Sequence, residues 1–372
     1  MPVKLVSACR YVQYDFKGYS NETAQVLCRF SDILIPFVQN VVRFEFDMSL
    51  ICVILNIFHF IVLTRKPMRN SSINLIMAAI AIIDILSLSV AIEIKIEAVI
   101  KSLYVCPIPS YLSVQMQSIL LSSRNFTRRC STWLSFGIAL IRTLVIRNPL
   151  NPSLKRLSRP KSGAYCILFV VFLSLPISIL SFFQYEIAIL DIPRNCNATQ
   201  NETYYMLVLS KFFSKNDQMV YKFYQLFDNI VSKLIPCILF PIITVLLVIE
   251  IRKTEKNTRK ISVRKESNSS KKTTKLIFYL TITFFIAEFP VGVATAASRL
   301  VSTDSLGVNQ MFIFAIALFS FLVSANTSTH TFICLLMSTQ YRTTAKSVFC
   351  CGKEPGSQKT SVMSTAISVT PA

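Results

Sequence analysis

The sequence has few charged residues, few glycines and almost no histidine. Of its 372 residues only 16% are charged, against about 25% in a typical soluble domain, which argues against an ordinary soluble protein. Seven glycines are few for a turn-rich β-sandwich, whereas the 28 phenylalanines suit helices that face lipid. Two histidines, and eleven cysteines that include no Cys-X-X-Cys pair, exclude a structural zinc site.

The chain is rich in long apolar segments. A helix that crosses a bilayer needs about 20 mostly apolar residues, and seven segments meet this requirement. They are too long for strands and do not alternate apolar with polar residues, so we predict an all-α membrane protein, a bundle of seven helices. The predicted helices, named spans 1 to 7, are Glu45–Thr64, Ser72–Ile96, Ser113–Ile146, Gly163–Tyr185, Lys222–Glu250, Thr273–Ser298 and Gln310–Met337.

Positive charge is concentrated on one side of these spans. The loops after spans 1, 3 and 5, together with the C-terminal tail, carry an excess of 19 positive charges, whereas the N-terminal segment and the other loops carry an excess of 2. Loops rich in Lys and Arg remain in the cytoplasm, so we predict a multi-pass protein with its N-terminus outside the cell. No charged leader with a cleavage site precedes span 1, and we expect no signal peptide.

This distribution also bears on the binding partners. A net charge of +20 is typical of many nucleic-acid-binding proteins. Here the excess lies on one face of a membrane protein, so we expect the lipid bilayer as a partner and no nucleic acid.

Charged side chains inside the predicted spans are costly in lipid and normally face a partner or a water-filled cavity. In span 3, positions three and four residues apart share one face, and its polar character predicts that span 3 lies at the centre of the bundle. This face contains Arg124, Arg128, Ser131, Ser135, Ile138 and Arg142. Arginines near a helix end can instead extend to the interface, an alternative that stays open for Arg124 and Arg129. The other charges inside the spans are Asp84, Asp228, Lys233 and Glu288.

Two spacings and one residue position follow a known pattern. Asn74-Leu75 begins span 2 and Asp84 follows ten residues after Asn74, Asn56 lies in the middle of span 1, and Arg142 precedes Pro149-Leu150 by seven residues. Together these spacings resemble those of the rhodopsin-like G-protein-coupled receptors.

Longer stretches narrow the resemblance. They are similar to the nematode serpentine receptors of class W, which are related to the FMRFamide and myosuppressin peptide receptors. The stretches are Ser131-Thr132-Trp133-Leu134, Ala139-Leu140-Ile141-Arg142-Thr143, Ala287-Glu288-Phe289-Pro290-Val291-Gly292 and Met337-Ser338-Thr339-Gln340-Tyr341-Arg342.

The resemblance implies a receptor that converts binding of an extracellular ligand into activation of a heterotrimeric G protein, with no enzymatic activity, cofactor or metal. It favours a (neuro)peptide ligand, for which Glu93, Glu97 and Asp191 would offer acidic contacts. Arg124 and Arg128 would instead suit a carboxylate, so a chemosensory receptor for a small odorant is the close alternative. A transporter is a distant alternative, because the sequence shows no internal repeat and no relay of acids.

The resemblance assigns the G-protein contact to Arg142, Pro149 and Leu150. The acid that normally precedes this arginine is Ile141, and the tyrosine that normally follows it is Thr143. An ion pair that would hold Arg142 at rest is therefore missing, and we expect raised basal activity.

Glu288 stands where many relatives carry a tryptophan, two residues before the helix-bending Pro290. In related receptors this position packs near Arg128. We predict a buried ion pair between Glu288 and Arg128 that holds span 6 against span 3 and acts as a switch around Pro290. The alternative, in which the pair only satisfies two buried charges, stays open at this point. The ligand pocket is accordingly expected at Arg124, Arg128 and Glu288.

A polar core is expected inside the bundle at Asn56, Asp84, Asn326 and His330. Two registers of span 7 fit the Asn-Pro-X-X-Tyr motif of the receptors, one starting at Asn326 and one at His330. Counting back from Tyr341 favours the second. In either register the proline and tyrosine are absent.

The resemblance also implies a disulfide between Cys106 and Cys196, with an extra segment, Pro107–Pro109, before span 3. Cys9 and Cys28 form either a second disulfide or two free thiols. Three Asn-X-Ser/Thr sites lie on the predicted outer side and are expected to be glycosylated. These sites are Asn21, Asn197 and Asn201.

We divide the chain into an extracellular segment at 1–44, the receptor domain at 45–337, a membrane-surface helix at 338–351 and a disordered cytoplasmic tail at 352–372. Palmitoylation of Cys350 and Cys351 would anchor the surface helix. The tail is rich in Ser and Thr, and the resemblance implies phosphorylation by a receptor kinase followed by arrestin binding. The expected location is the plasma membrane.

Overall fold

The computed structural model describes residues 15–103, 109–148, 151–190, 203–259, 264–300 and 305–349. Within them, helices account for most residues, and one antiparallel hairpin is present. In chain order the elements are α1 Asn21–Leu63, α2 Ser72–Leu103, α3 Tyr111–Arg147, α4 Pro152–Arg156, α5 Pro160–Phe182, β1 Tyr185–Leu190, β2 Tyr204–Leu209, α6 Lys211–Asn229, a π-helical turn Ile230–Leu234, α7 Ile235–Arg259, α8 Arg264–Leu300, α9 Leu306–Asn326, α10 Thr329–Met337 and α11 Thr339–Phe349.

Seven stretches of the described helices are long and apolar enough to cross a membrane. They coincide with the seven predicted spans, so the seven-helix bundle is confirmed. The stretches are Asn21–Leu63, Ser72–Glu93, Tyr111–Arg147, Pro160–Phe182, Gln218–Glu250, Thr281–Ser298 and Leu306–Leu336. Spans 1, 2, 3, 4 and 6 are α1, α2, α3, α5 and α8. Span 5 combines α6 and α7, and span 7 combines α9 and α10.

Span 1 differs most from its prediction. The helix begins at Asn21, after the cap residue Ser20, whose Oγ accepts a hydrogen bond from the Thr23 N–H at 3.3 Å. A helix of 43 residues is about 65 Å long, roughly twice the thickness of the hydrocarbon core. Charged residues such as Arg29 and Arg43 lower the hydropathy before Glu45 without ending the helix. The segment 1–44 is therefore largely helical from Asn21 onward.

Span 3 occupies the centre, as its polar face predicts, and contacts α2, α5 and α7. The hairpin β1–β2 marks one end of the bundle, called the hairpin end. At the opposite end α11 packs against span 1, where the buried Tyr341 hydroxyl and His59 Nδ1 share a hydrogen bond of 2.7 Å. Burial raises the pKa of Tyr341, so this phenol stays protonated at neutral pH. The helix predicted after span 7 is thus present at Thr339–Phe349.

Spans 2 and 4 meet without room for a side chain at Gly163. A Cβ placed there would lie 2.7 Å from the Ser72 carbonyl oxygen and 3.0 Å from the Ser72 Cα. The Ser72 N–H also donates to the Ser158 carbonyl at 3.0 Å. Because the opposing atoms belong to the backbone, the two helices cannot relax locally.

We expect Gly163→Ala to lower the stability of the bundle by about 1–3 kcal/mol, because overpacking must push the two helices apart. The measurement is the midpoint of thermal unfolding of the detergent-solubilised receptor. Lys161→Ala, at an exposed site on the same turn, serves as the control and should leave the midpoint unchanged. Equal midpoints for Gly163→Ala and the parent would contradict this account of the contact.

Candidate ligand-binding site

The connection between spans 4 and 5 contains a β-hairpin that the sequence analysis missed. β1 and β2 pair antiparallel, with Tyr185 opposite Leu209 and Leu190 opposite Tyr204. The ring of Tyr205 packs edge-on against Tyr111, the first residue of span 3, at 5.6 Å. The signal was present as two runs rich in aromatic and β-branched residues, but each run adjoins an apolar span and blends into it.

A cavity of about 290 Å³ lies between spans 3, 5, 6 and 7, in the half of span 3 that is nearer the hairpin end. We call it the charged cavity because six charged side chains line it. These are Arg124, Arg128, Arg129, Asp228, Lys233 and Glu288. Apolar residues, among them Leu121, Val291 and Ile316, line other parts of its wall. The cavity therefore brings together Arg124, Arg128 and Glu288, three of the six residues predicted to contact the ligand.

Arg129 is buried and bonded through its whole guanidinium group. Its Nη2 lies 2.7 Å from Asp228 Oδ1, its Nε donates to Ser232 Oγ at 2.9 Å, and its Nη1 donates to the Ser174 carbonyl at 3.0 Å and to Ser178 Oγ at 2.9 Å. The residue thus joins spans 3, 4 and 5. The alternative in which Arg129 extends to the membrane interface is excluded.

The π-helical turn explains how span 5 supplies two neighbouring polar residues to different partners. The Ile235 N–H bonds to the Ile230 carbonyl, five residues earlier, and Pro236 has no N–H to continue the α-helical pattern. This wider turn places Ser232 against Arg129 and Lys233 on the charged cavity. π-Helical turns inside α-helices frequently occur at functional sites.

Spans 5 and 6 are held closely together beside the cavity. The buried Asn229 side chain donates to the Gly292 carbonyl at 2.9 Å. A Cβ at Gly292 would lie 3.2 Å from Leu234 Cδ2 and 3.3 Å from Lys233 Cβ. The contact lies two residues after Pro290, which is inside α8, so it ties span 6 to span 5 next to the proline.

The predicted ion pair between Glu288 and Arg128 does not form. Among the described residues, neither side chain has an ion-pair partner within 4.0 Å. Both line the charged cavity. There Lys233 and Arg128 each act electrostatically on Glu288, and the effect of Lys233 is the larger. The physical reason is that the π-helical turn brings Lys233 to the same space, so that Glu288 is shared between two cations across a cavity.

Arg124 has a partner that the sequence analysis did not consider. Its Nη2 lies 3.9 Å from Glu45 Oε1 on span 1, and the same oxygen accepts a hydrogen bond from Ser324 of span 7 at 3.5 Å.

Glu93 and Glu97 lie on α2 and are partly buried, but they are not among the residues that line the charged cavity.

A second, smaller cavity of about 50 Å³ follows towards the middle of the bundle, and we call it the polar-core cavity. Asp84, Asn326 and His330, three of the four predicted polar-core residues, line it. Asp84 accepts a hydrogen bond from Ser131 at 2.8 Å. The fourth, Asn56, is buried and donates to the Cys52 carbonyl of its own helix.

The two cavities share part of their lining. Arg128, Thr132 and Glu288 contribute to both. A change in the position of any of these side chains would therefore alter both spaces. Glu288, on the span that contains Pro290, links the charged cavity to the polar core.

Span 7 is interrupted without a proline. α9 ends at Asn326 and α10 begins at Thr329. Here Thr327 Oγ1 donates to the Ser324 carbonyl at 2.7 Å and Thr329 Oγ1 donates to the Asn326 carbonyl at 2.6 Å. Hydroxyl groups that bond to carbonyls of the same helix compete with its regular pattern and bend it. The interruption falls between the two candidate starts of the span 7 motif, Asn326 and His330.

At the end of span 3 opposite to the hairpin, the Nε of Arg142 is buried and has no hydrogen-bond partner among the described residues. Nearby, Arg147 Nε lies 3.6 Å from Glu250 Oε1 of span 5.

Several predicted site residues lie outside the described residues, namely Cys9, Cys106, Pro149, Leu150, Asp191, Cys196, Asn197, Asn201, Cys350 and Cys351. Their assignments stay predictions, as do those of Asn21, which is exposed at the start of α1, and of Cys28, which is buried on α1.

The contacts of Arg129 lead to a prediction about stability. We expect Asp228→Asn to lower the free energy of unfolding by about 3–5 kcal/mol, because it leaves the buried guanidinium without its counter-charge. Thermal unfolding and surface expression are the measurements, and Glu22→Gln, at an exposed site of α1, is the control. In a double-mutant cycle, Arg129→Gln combined with Asp228→Asn should lose less than the sum of the single losses. Strict additivity would rule out the coupling.

Comparison with curated proteins gives no match. The family described as "Serpentine type 7TM GPCR chemoreceptor Srw" matches residues 43–352. This range covers most of the chain, from the second half of α1 to the end of α11, and includes the charged cavity. The chain therefore belongs to the Srw family of serpentine seven-transmembrane G-protein-coupled chemoreceptors and is a multi-pass membrane receptor.

Proposed function

We propose that the protein is a chemosensory receptor of the plasma membrane, and that an extracellular ligand in the charged cavity switches it to activate a heterotrimeric G protein. The observation that carries this proposal is a charged cavity inside a seven-span bundle that shares lining residues with the polar core. Such a cavity lets a ligand act on the same side chains that pack the centre of the bundle.

The mechanism follows from the position of Glu288. A ligand that contacts Glu288 or Arg128 changes the electrostatic balance between span 6 and span 3 across the cavity. Span 6 contains Pro290 and is tied to span 5 by the Asn229–Gly292 hydrogen bond. Two packings of span 6 would differ in these contacts, and the ligand shifts their populations by its difference in affinity for the two.

We propose an orientation in which the ligand reaches the cavity from outside the cell. The excess of positive charge lies on the loops opposite to the hairpin, which supports an outer hairpin and an outer N-terminus. The charged cavity is nearer to the hairpin end. In the same orientation, Arg142 is cytoplasmic, with Pro149 and Leu150 as further contacts of the G protein.

Other features of the proposal follow from membership of the receptor class. The Cys106–Cys196 disulfide, with a Cys9–Cys28 disulfide as a further option, would stabilise the outer face. Glycans at Asn21, Asn197 and Asn201 would lie on the same face. Palmitoylation of Cys350 and Cys351 would hold α11 at the inner leaflet, and the tail would bind arrestin after phosphorylation by a receptor kinase.

A peptide is the second candidate for the ligand. The hairpin offers a surface for it, because Ile189 and Met206 are exposed large apolar side chains on its two strands. Glu93, Glu97 and Asp191 would supply acidic contacts for a basic peptide. The volume of the charged cavity, about 290 Å³, is at the lower end of the range for small-molecule pockets and favours a small ligand or one end of a peptide.

Basal signalling tests the coupling role of Arg142 before any ligand is known. In cells that express the receptor with an epitope on its N-terminus, we expect dissociation of a co-expressed G protein above the empty-vector level, since no described residue forms an ion pair with Arg142. We expect Arg142→Ala to abolish this signal and Ile141→Asp to reduce it about threefold or more, through an adjacent negative charge.

Lys155→Ala, an exposed cation at the same end of the bundle, is the control and should keep the basal signal at equal surface expression. Antibody binding to the N-terminal epitope on intact cells measures both the expression and the orientation. Basal signalling that is no greater in the parent than in Ile141→Asp, or that survives in Arg142→Ala, would refute the assigned role.

A further inference from the structure

We propose that the ligand of the charged cavity is a small organic acid, whose carboxylate binds Arg128 and Lys233 and whose apolar skeleton packs on the remaining wall. This inference rests on the proposed function, because it names the class of ligand for the same site. It depends on the charges of the cavity, on the partners these charges already have, and on its size.

Two of the four cations that line the cavity form ion pairs with acids of the bundle, and the other two do not. Arg129 is bonded to Asp228 at 2.7 Å, and Arg124 has Glu45 at 3.9 Å. Among the described residues, Arg128 and Lys233 have no side-chain hydrogen bond and no ion pair within 4.0 Å. Glu288 acts electrostatically on both cations, although it forms an ion pair with neither.

The donors of Arg128 and Lys233 are therefore open to an anion. Glu288 and Asp84 act electrostatically on Arg128, and Glu288 and Asp228 act on Lys233, but among the described residues none of these acids comes within 4.0 Å of either cation. The guanidinium of Arg128 stays charged, so a monovalent anion in the cavity meets two cations whose hydrogen-bond donors are not used.

A carboxylate satisfies the donors of Arg128 and Lys233 better than water does. A charged group away from bulk water is costly unless it is paired and hydrogen-bonded. The planar guanidinium of Arg128 can donate two parallel hydrogen bonds to a carboxylate, and the ammonium of Lys233 can donate a third. A cationic ligand would instead be repelled by Arg128 and Lys233.

The apolar residues of the cavity wall indicate that the acid has an apolar skeleton. Leu121, Val291 and Ile316 line the cavity together with its charges. A ligand with a carboxylate at one end and a short apolar body thus finds complementary surfaces on both sides. Contact of its carboxylate with Arg128 draws this side chain away from Glu288, which is shared with the polar-core cavity, so binding reaches the centre of the bundle.

The test uses the full-length receptor and matched ligands. The probes are pentanoic to decanoic acid and benzoic acid, each with its primary amide and its amine of the same skeleton. Binding is measured as the rise in the thermal unfolding midpoint of the purified receptor, and signalling is measured as G-protein dissociation in cells. We expect at least one acid to stabilise and activate the receptor, while its amide and amine do neither.

Three variants identify the residues. We expect Arg128→Gln to raise the half-maximal concentration of the acid about 30-fold or more, the loss typical of a removed buried charge partner. Arg29→Gln, an exposed arginine on α1, is the matched control and should leave this concentration unchanged. Glu288→Gln should lower it about tenfold, because it removes a repelling charge.

The opposite results overturn the inference. If the amines bind instead and Glu288→Gln abolishes their binding, the ligand is a cation that pairs with Glu288. Equal binding of acid and amide, or no binding of any acid at millimolar concentration, would reject the carboxylate. If Arg128→Gln fails to express, Arg128→Lys retains the charge and must still bind the acid. Acid binding without G-protein dissociation would refute the proposed function and leave the inference intact.

Discussion

The bundle depends on how it accommodates the arginines that span 3 carries through the membrane. Three of them occur within six residues, at 124, 128 and 129, in surroundings where an unpaired charge is costly. The structure gives each a different environment. Arg129 is bonded to spans 4 and 5, Arg124 lies near Glu45 of span 1, and Arg128 borders a cavity. Cohesion of the bundle and binding of a ligand thus use neighbouring residues of one helix.

The π-helical turn connects these two roles. It directs Ser232 to Arg129 and Lys233 to the charged cavity, so one local widening of span 5 serves both the structural cluster and the binding site. Beside it, Asn229 holds the span that carries Glu288 and Pro290. A ligand in the cavity therefore acts where charged residues of spans 3, 5 and 6 meet, which is a suitable place to change the packing of span 6.

The members of this site can be predicted from the sequence more reliably than their contacts. Arg124, Arg128 and Glu288 do line one cavity, since a shared helical face and a carboxylate before a proline already indicated interior positions. The pairing of Glu288 with Arg128 was wrong, because Lys233 enters the same space through a turn of unusual width. Asp228 and Lys233 were recognised as intramembrane charges, yet nothing in the local sequence indicated which arginine each would face.

The number of spans and the uneven distribution of Lys and Arg could be obtained from the residues alone, because transfer of a segment into lipid depends on its own composition and length. The start of span 1 at Asn21, the hairpin and the interruption of span 7 required the folded chain. So did the partners of the buried charges, since Arg129 and Asp228 are 99 residues apart. A one-residue change in helical phase redirects a side chain by about 100°, and only the packed bundle determines that phase.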